Sequence, residues 1–318
     1  MLIRNLSKAA LGMCAILLAG CTGGVLDPKG QIGIDEKHLI IIATLLMLIV
    51  VIPVIFMTLY FAWKYRDGRE HEIYAPKWAH SKTIEIVVWV VPIVIVIILG
   101  AITWGSTHDL DPYKPLDHDA KPIKVEVVSL NWKWLFIYPE LGIASVNELA
   151  FPANVPVNFK ITSDTAMNSF FIPQLGSQIY SMAGMATKLH LIANEPGTFD
   201  GISSNYSGAG FAGMKFKAIA TASNDDFTAW VNKVKQQNHR LDPLSYKALA
   251  KESENNPVEY YGSVSNGMFN HIVMQYMHMD ADMNMDADMD MDMDMDMDMD
   301  MDMPHHSGLS SPQHGEAE

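Results

Sequence analysis

Leu39–Trp63 is a run of 25 residues without one charged side chain, and Ile86–Trp104 is a second uncharged, apolar run. At about 1.5 Å per residue, a helix of either length crosses a hydrocarbon core of roughly 30 Å. Backbone groups in lipid must be satisfied internally, so the two runs commit the chain to a helical hairpin. The spans are placed at 38–64 and 84–105. Pro53 and Pro92 lie inside them, where neighbouring helices compensate the lost hydrogen bonds. Trp63, Tyr65, Trp78 and Trp104 flank them as an interfacial aromatic belt. The connecting loop, 65–83 with Lys64 just before it, carries Arg66, Arg69, Lys77 and Lys82, which puts it on the cytoplasmic side. Everything after the second span then lies outside. Neither run contains His, Asp, Lys or Arg, so the spans offer no haem ligand and no internal proton wire.

Residues 1–20 read as a secretory signal. Arg4 and Lys8 precede the short apolar stretch Ala9–Ala19, which is too short to span a bilayer. The stretch ends Leu18-Ala19-Gly20-Cys21, which resembles a bacterial lipobox and implies a lipidated Cys21 as the first mature residue, carrying acyl chains such as palmitate. An ordinary signal peptide cut at small residues is the alternative. Residues 21–37 are then a periplasmic N-terminus, which agrees with the topology set by the loop charges. Cys14 and Cys21 are the only cysteines, so no disulfide or thiolate metal site can form within residues 22–318.

A polar linker is expected at 106–121. From Pro122, Ile123, Val125 and Val127 alternate with Lys124 and Glu126, a strand period of two. Further short strands are expected at Trp132–Tyr138, Val146–Phe151, Val155–Thr162, Ser169–Ile172, Ser177–Met182, Thr187–Ile192, Thr198–Ser204 and Met214–Thr221. Pro, Gly and Asn separate them, as in an all-β sandwich or barrel over 122–222. Trp132 and Trp134, two apart, are expected on one sheet face. A helical extension follows over 223–272. Phe227, Trp230, Val231 and Val234 share one helical face over Asp225–Gln237, with Ser223 or Asn224 as cap, and a second helix starts at Asp242-Pro243.

Eleven aspartates between Asp280 and Asp302 supply most of the formal net charge of −14. The Met-Asp repeat cannot bury enough apolar surface to fold, so 273–318 reads as a disordered tail. Its thioethers, with His278, His305, His306 and His314, form a candidate for weak copper capture. No basic cluster supports nucleic-acid binding.

Residues 197–214, Gly-Thr-Phe-Asp-Gly-Ile-Ser-Ser-Asn-Tyr-Ser-Gly-Ala-Gly-Phe-Ala-Gly-Met, resemble the copper loop of subunit II of haem–copper respiratory oxidases. Asn131–Tyr138 and Met167–Gln178 resemble further stretches of that family, and Glu85, Trp89 and Pro92 a signature at its second helix. Glu85 itself reads as an interfacial carboxylate facing water. Asn131-Trp132-Lys133-Trp134 resembles the aromatic stretch beside the copper; here it is expected to pack against the membrane subunit. The resemblance implies a cupredoxin-like Greek-key sandwich behind a two-helix membrane hairpin. It also implies that Ser203 and Ser207 stand at the copper cysteines, Asn205 at the glutamate, Phe211 and Asn168 at the histidines, and that only Met214 is retained. Bridging thiolates hold copper in its lower oxidation state, and serine hydroxyls do not replace them. The five replaced positions are expected to form a satisfied polar and aromatic plug.

Within that family the loss marks quinol oxidases, and the match is to the subunit II of cytochrome bo-type ubiquinol oxidases. The resemblance implies no catalytic residue and no cofactor on this chain, with haems, catalytic copper and the main quinol-binding residues on subunit I. It implies a lipid-anchored inner-membrane subunit serving assembly, partnered by subunit I, smaller membrane subunits, membrane lipid and, through the complex, ubiquinol. The absent cysteines exclude a copper-bearing cytochrome c oxidase subunit II. A menaquinol-using relative and a free-standing periplasmic copper-handling lipoprotein remain as alternatives.

Overall fold

The computed structural model describes residues 24–67 and 79–277. The signal, Cys21, Trp78, part of the cytoplasmic loop and the Met-Asp tail lie outside the described residues. The chain divides into a unit ending at Val273 and a second from Met274, of which only the end of a helix is described.

Two long helices come first, α1 (Gln31–Lys64) and α2 (Lys82–Asp109). Both outrun the expected spans: α1 begins seven residues before 38, and α2 continues four beyond 105, into the expected linker. Pro53 and Pro92 lie inside them as expected. Gly33 and Ile95 are the only buried residues on the two helices. Apolar side chains exposed along this length need lipid or a protein partner.

The early start of α1 has a physical cause. Its first turns are docked on the β-domain by backbone hydrogen bonds. Lys29 N and Gly30 N donate to Gln174 O, at 2.6 and 3.2 Å, and Gly33 N donates to Leu175 O at 3.1 Å. Asn194 N returns a bond to Lys29 O at 2.7 Å, and Lys29 pairs with Glu195 at 3.1 Å. The start of the helix is therefore held against protein, ahead of the uncharged run that begins at Leu39.

The β-domain is a sandwich. One sheet has the order β12-β3-β2-β1-β5-β8 and the other β4-β10-β9-β6-β7. The strands are β1 (Ile123–Leu130), β2 (Lys133–Tyr138), β3 (Ile143–Val146), β4 (Glu148–Pro152), β5 (Val157–Ser163), β6 (Asn168–Phe171), β7 (Ile179–Ser181), β8 (Thr187–Leu191), β9 (Gly197–Ser203), β10 (Lys215–Thr221), β11 (Arg240–Leu241), β12 (Glu259–Tyr261) and β13 (Ser263–Val264). The parallel pairs β1–β5 and β4–β10 cross between otherwise antiparallel neighbours. Val125, Val127, Trp134, Phe136 and Tyr138 point into the inter-sheet core with Phe170, Met214 and Phe216. Phe170 and Phe216 stack at 5.1 Å, and Trp134 meets both edge-on.

Three expectations are corrected. The strand expected over Val146–Phe151 is two strands, β3 and β4, broken at Asn147, whose φ of 57° stops the ladder. Its side chain compensates, accepting from Trp134 N at 2.9 Å and donating to Asn256 O at 3.0 Å. Trp132 and Trp134 do not share a sheet face. Leu130 pairs with Lys133, so Asn131 and Trp132 form the hairpin turn, and Trp132 has φ 61°. Trp134 is fully buried in the chain's own core rather than available to another subunit.

The third correction concerns 223–272, which is not simply helical. Helix α3 (Asn224–Lys235) buries Phe227, Trp230, Val231 and Val234, and Ser223 caps it by accepting from Asp226 N. Helix α4 (Pro243–Leu249) opens with a capping box at Asp242. Between and after them, β11 pairs β13, and β12 adds an edge strand beside β3. A last helix, α5, runs over residues 268–277, so the first five residues of the stretch expected to be a disordered tail, 273–277, are helical. Leu241, Tyr246, Tyr261, Phe269, Ile272 and Val273 cover Val128, Leu130, Leu135 and Ile137 on the outer face of the six-stranded sheet. Glu148 joins the parts by accepting from Trp230 Nε1 at 2.8 Å and from Tyr260 OH at 2.6 Å.

Two predictions follow from this packing. Gly30 has an ordinary φ of −117°, so only space requires glycine there: an added Cβ would lie 2.5 Å from Leu175 O and 2.6 Å from Ile192 O. Gly30→Ala should cost about 1–3 kcal/mol, the usual range for overpacking. Gly105→Ala, where a Cβ meets nothing within 4 Å, should not destabilise. Equal melting temperatures for the two variants in detergent would refute the docking described above. His190, at the β5–β8 pairing, bonds Asn158 Oδ1 through Nδ1 at 2.8 Å. Burial first, and the Lys188 charge second, hold its pKa below the ordinary 6.5. The unfolded chain then takes the proton first, so this contribution to stability is lost as pH falls from about 6.5 toward the lower folded value. His190→Gln should flatten that part of the stability–pH curve, read by unfolding between pH 7.5 and 5.

Candidate functional site

The six positions that the resemblance sets at copper ligands lie at one end of the sandwich, carried by β6, β9 and the loop between β9 and β10. Asn168 opens β6 and is 1% exposed; Ser203 closes β9 and is 5% exposed. Pairing of Phe170 with Ser203 across β6 and β9 sets them side by side. Ser203 Oγ is 3.1 Å from Asn168 Oδ1 and 3.2 Å from Asn205 O, and can donate to either. Asn168 Nδ2 donates to Ala166 O at 3.1 Å and reaches Ser129 Oγ at 3.5 Å; Ser129 in turn meets Ser181 Oγ at 3.0 Å. Asn205 Nδ2 donates to Met167 O at 2.9 Å, tying the loop to the start of β6.

Phe211 lies in a short 3₁₀ turn, Ala209–Gly213, and meets Tyr206 edge-on at 5.5 Å. Met214 is 1% exposed and belongs to the inter-sheet core; its carbonyl accepts from Ser203 N at 3.2 Å. The structure thus brings Asn168, Ser203, Asn205 and Met214 into one bonded set. Ser207 corrects the expectation of a satisfied plug: its Oγ is buried with no hydrogen-bond partner among the described residues. Such an atom carries a desolvation cost that a paired hydroxyl avoids.

The sequence reading did not foresee what closes the loop. Trp132 Nε1 donates to Ser207 O at 3.0 Å. Its indole lies against Gly208 and Gly210, where a Cβ would fall 3.3 Å and 2.4 Å from ring atoms. Gly208 has φ 108°, so it is required both for its backbone and for that approach. The Gly-Ala-Gly spacing was the available signal, but only the turn geometry of Trp132 shows what the glycines admit.

This donor set does not fit a binuclear copper centre. Asn168 and Ser203 are hydrogen-bonded to one another, Phe211 engages an aromatic ring, and no thiolate is present. No group of three or more His, Cys, Asp or Glu side chains arranged to hold a metal occurs among the described residues.

A family model for the periplasmic domain of cytochrome c oxidase subunit II matches residues 117–220, and one for the aromatic-rich motif of these oxidases matches residues 235–280. The cytochrome bo(3) ubiquinol oxidase subunit 2 of Pseudomonas putida is 63% identical over 270 residues, covering 85% of each chain. The same subunit of Pseudomonas aeruginosa is 64% identical over 264 residues, covering 83% of this chain and 80% of the relative. The ubiquinol oxidase subunit 2 of Acetobacter aceti is 58% identical over 264 residues, covering 82% and 85%. With a membrane hairpin, a cupredoxin-like sandwich and an aromatic-rich extension in that order, the chain belongs to the subunit 2 family of cytochrome bo-type ubiquinol oxidases.

Proposed function

We propose that, within a respiratory ubiquinol oxidase, this chain is the copper-free, non-catalytic subunit. The observation that carries the reading is the bonded Asn168–Ser203–Asn205 set at the positions where thiolate and imidazole ligands are needed. A chain with no electron port has no use for a docking redox protein, so electrons enter the complex from the membrane quinol. Haems, the oxygen-reducing copper and the quinol-binding residues belong to subunit I. This subunit lays α1 and α2 on subunit I, caps its outer face and stabilises assembly with the smaller membrane subunits. It holds no cofactor of its own. It sits in the inner membrane with residues 1–20 removed, Cys21 lipidated and the sandwich in the periplasm.

Oxygen consumption by the complex isolated through this chain tests the assignment. Haem should co-purify, and ubiquinol should support turnover while reduced cytochrome c does not. Turnover with cytochrome c would overturn the reading. Absence of haem would favour a free-standing copper-handling lipoprotein, and a preference for menaquinol would change the substrate alone.

Ligand restoration tests the inherited geometry. The five-fold variant Asn168→His, Ser203→Cys, Asn205→Glu, Ser207→Cys and Phe211→His should take up copper and turn purple. The parent chain, with serines in place of thiolates, should stay colourless. A folded variant with no copper absorbance would show that the scaffold no longer holds the ligand geometry.

A further inference from the structure

We propose that an open groove between the outer end of α1 and the β6–β7 edge seats the acyl chains of the diacylglyceryl group on Cys21; this rests on the lipidation reading above. The groove has a volume of about 590 Å³. Val25, Leu39, Ile40 and Phe171 supply its apolar lining. Leu39 and Ile40 begin the uncharged run of α1, so the groove meets the outer edge of the hydrocarbon region.

The course of the chain selects the occupant. Asp27 N bonds Gly24 O at 3.1 Å, and Lys29 is held to Gln174 and Asn194 through its backbone. Residues 24–30 are thereby fixed on the domain, with Val25 as one wall of the groove. Cys21 is three residues before Gly24, and three residues span at most about 11 Å. A lipid on its sulfur therefore starts within reach of the groove and needs no further tether. Burial of each methylene against that lining is favourable.

The polar edge suits ester carbonyls. Ser169 Oγ donates to Gln178 Oε1 at 2.9 Å, and Ser204 Oγ donates to the same oxygen. The Gln178 amide N–H groups keep no partner among the described residues and remain as donors. The Glu36 carboxylate is taken up by the Ser177 hydroxyl, so it is engaged rather than bare beside the lipid. A lipid seated here would fill the space between helix and domain and reinforce the docking at Gly30.

The test uses the whole complex from membranes, with Ile40→p-benzoylphenylalanine as photo-probe. Ile40 is 42% exposed, so the ring is accommodated without repacking. After irradiation, peptide mapping should join the residue 40 peptide to the peptide beginning at Cys21, through its acyl chain. The same probe at Leu59, toward the far end of α1, should give no such product. Cross-links from residue 40 only to free phospholipid or to a neighbouring subunit, with Cys21 lipidated by intact mass, would overturn the seating alone. An unmodified Cys21 by intact mass would overturn the lipidation reading and the seating together.

Discussion

Burial of both faces of one sheet is the constraint from which most of this architecture follows. In the six-stranded sheet, β2 is buried at every position and β1 at its last four. Its inner face meets the second sheet in the usual way. Its outer face presents Val128, Leu130, Leu135 and Ile137, which water would not tolerate as a patch. The C-terminal segment exists structurally as the cover for that face, and its strand β12 also pairs one edge of the sheet. Lys133 shows how tightly the cover is tied. It is 2% exposed, its pKa is lowered by burial, and its Nζ donates to Lys251 O and Ser253 Oγ. A lysine in that position is tolerable only because the covering segment supplies acceptors.

The loop between β9 and β10 shows a different balance. A metal cross-links a loop through several ligands at once. Here the same chain is held by separate weaker contacts, each net worth about 0.5–1.5 kcal/mol for a hydrogen bond. Asn205 ties it to β6, Ser203 ties it to Asn168, and the Trp132 indole closes it over two glycines. Trp132 accepts a positive φ to do so, and strain of that kind persists only where surrounding contacts fix it. The buried, unpaired hydroxyl of Ser207 is the exception in this set. Its hydroxyl is buried, and no neighbour among the described residues bonds it.

Sequence alone made the β-domain legible because strands such as β5, β9 and β10 alternate over most of their length and Pro, Gly and Asn interrupt the runs. Where tertiary geometry overrode local pattern, it failed. Asn147 and Trp132 are single residues in the left-handed region; Asn enters it more readily than most residues, but one Asn inside an apolar run does not mark a strand break, and Trp gives no such signal. The run Phe227–Val234 was readable because four apolar residues at helical spacing are a local signal. Strand β12 has three residues, too few for a period, and owes its conformation to pairing with β3. The extra turns of α1 were hidden for a related reason: Gln31–His38 is polar, and its helicity comes from backbone bonds to loop 174–175 rather than from apolar periodicity. The site positions were legible through ligand chemistry, since a missing cysteine is visible in any sequence. What replaced the ligands was not, because hydrogen bonds between Asn168, Ser203 and Asn205 depend on the β6–β9 register.

The two connections from membrane to sandwich differ in kind. Between α1 and the domain, backbone bonds from Lys29, Gly30, Gly33 and Asn194 leave no hinge, and Gly30 brings the two backbones too close for a side chain. Between α2 and β1, Lys114 bonds back to Asp111, and ordered pairing resumes only at Ile123. Of the two connections, the one through α1 is therefore the one bonded directly to the sandwich.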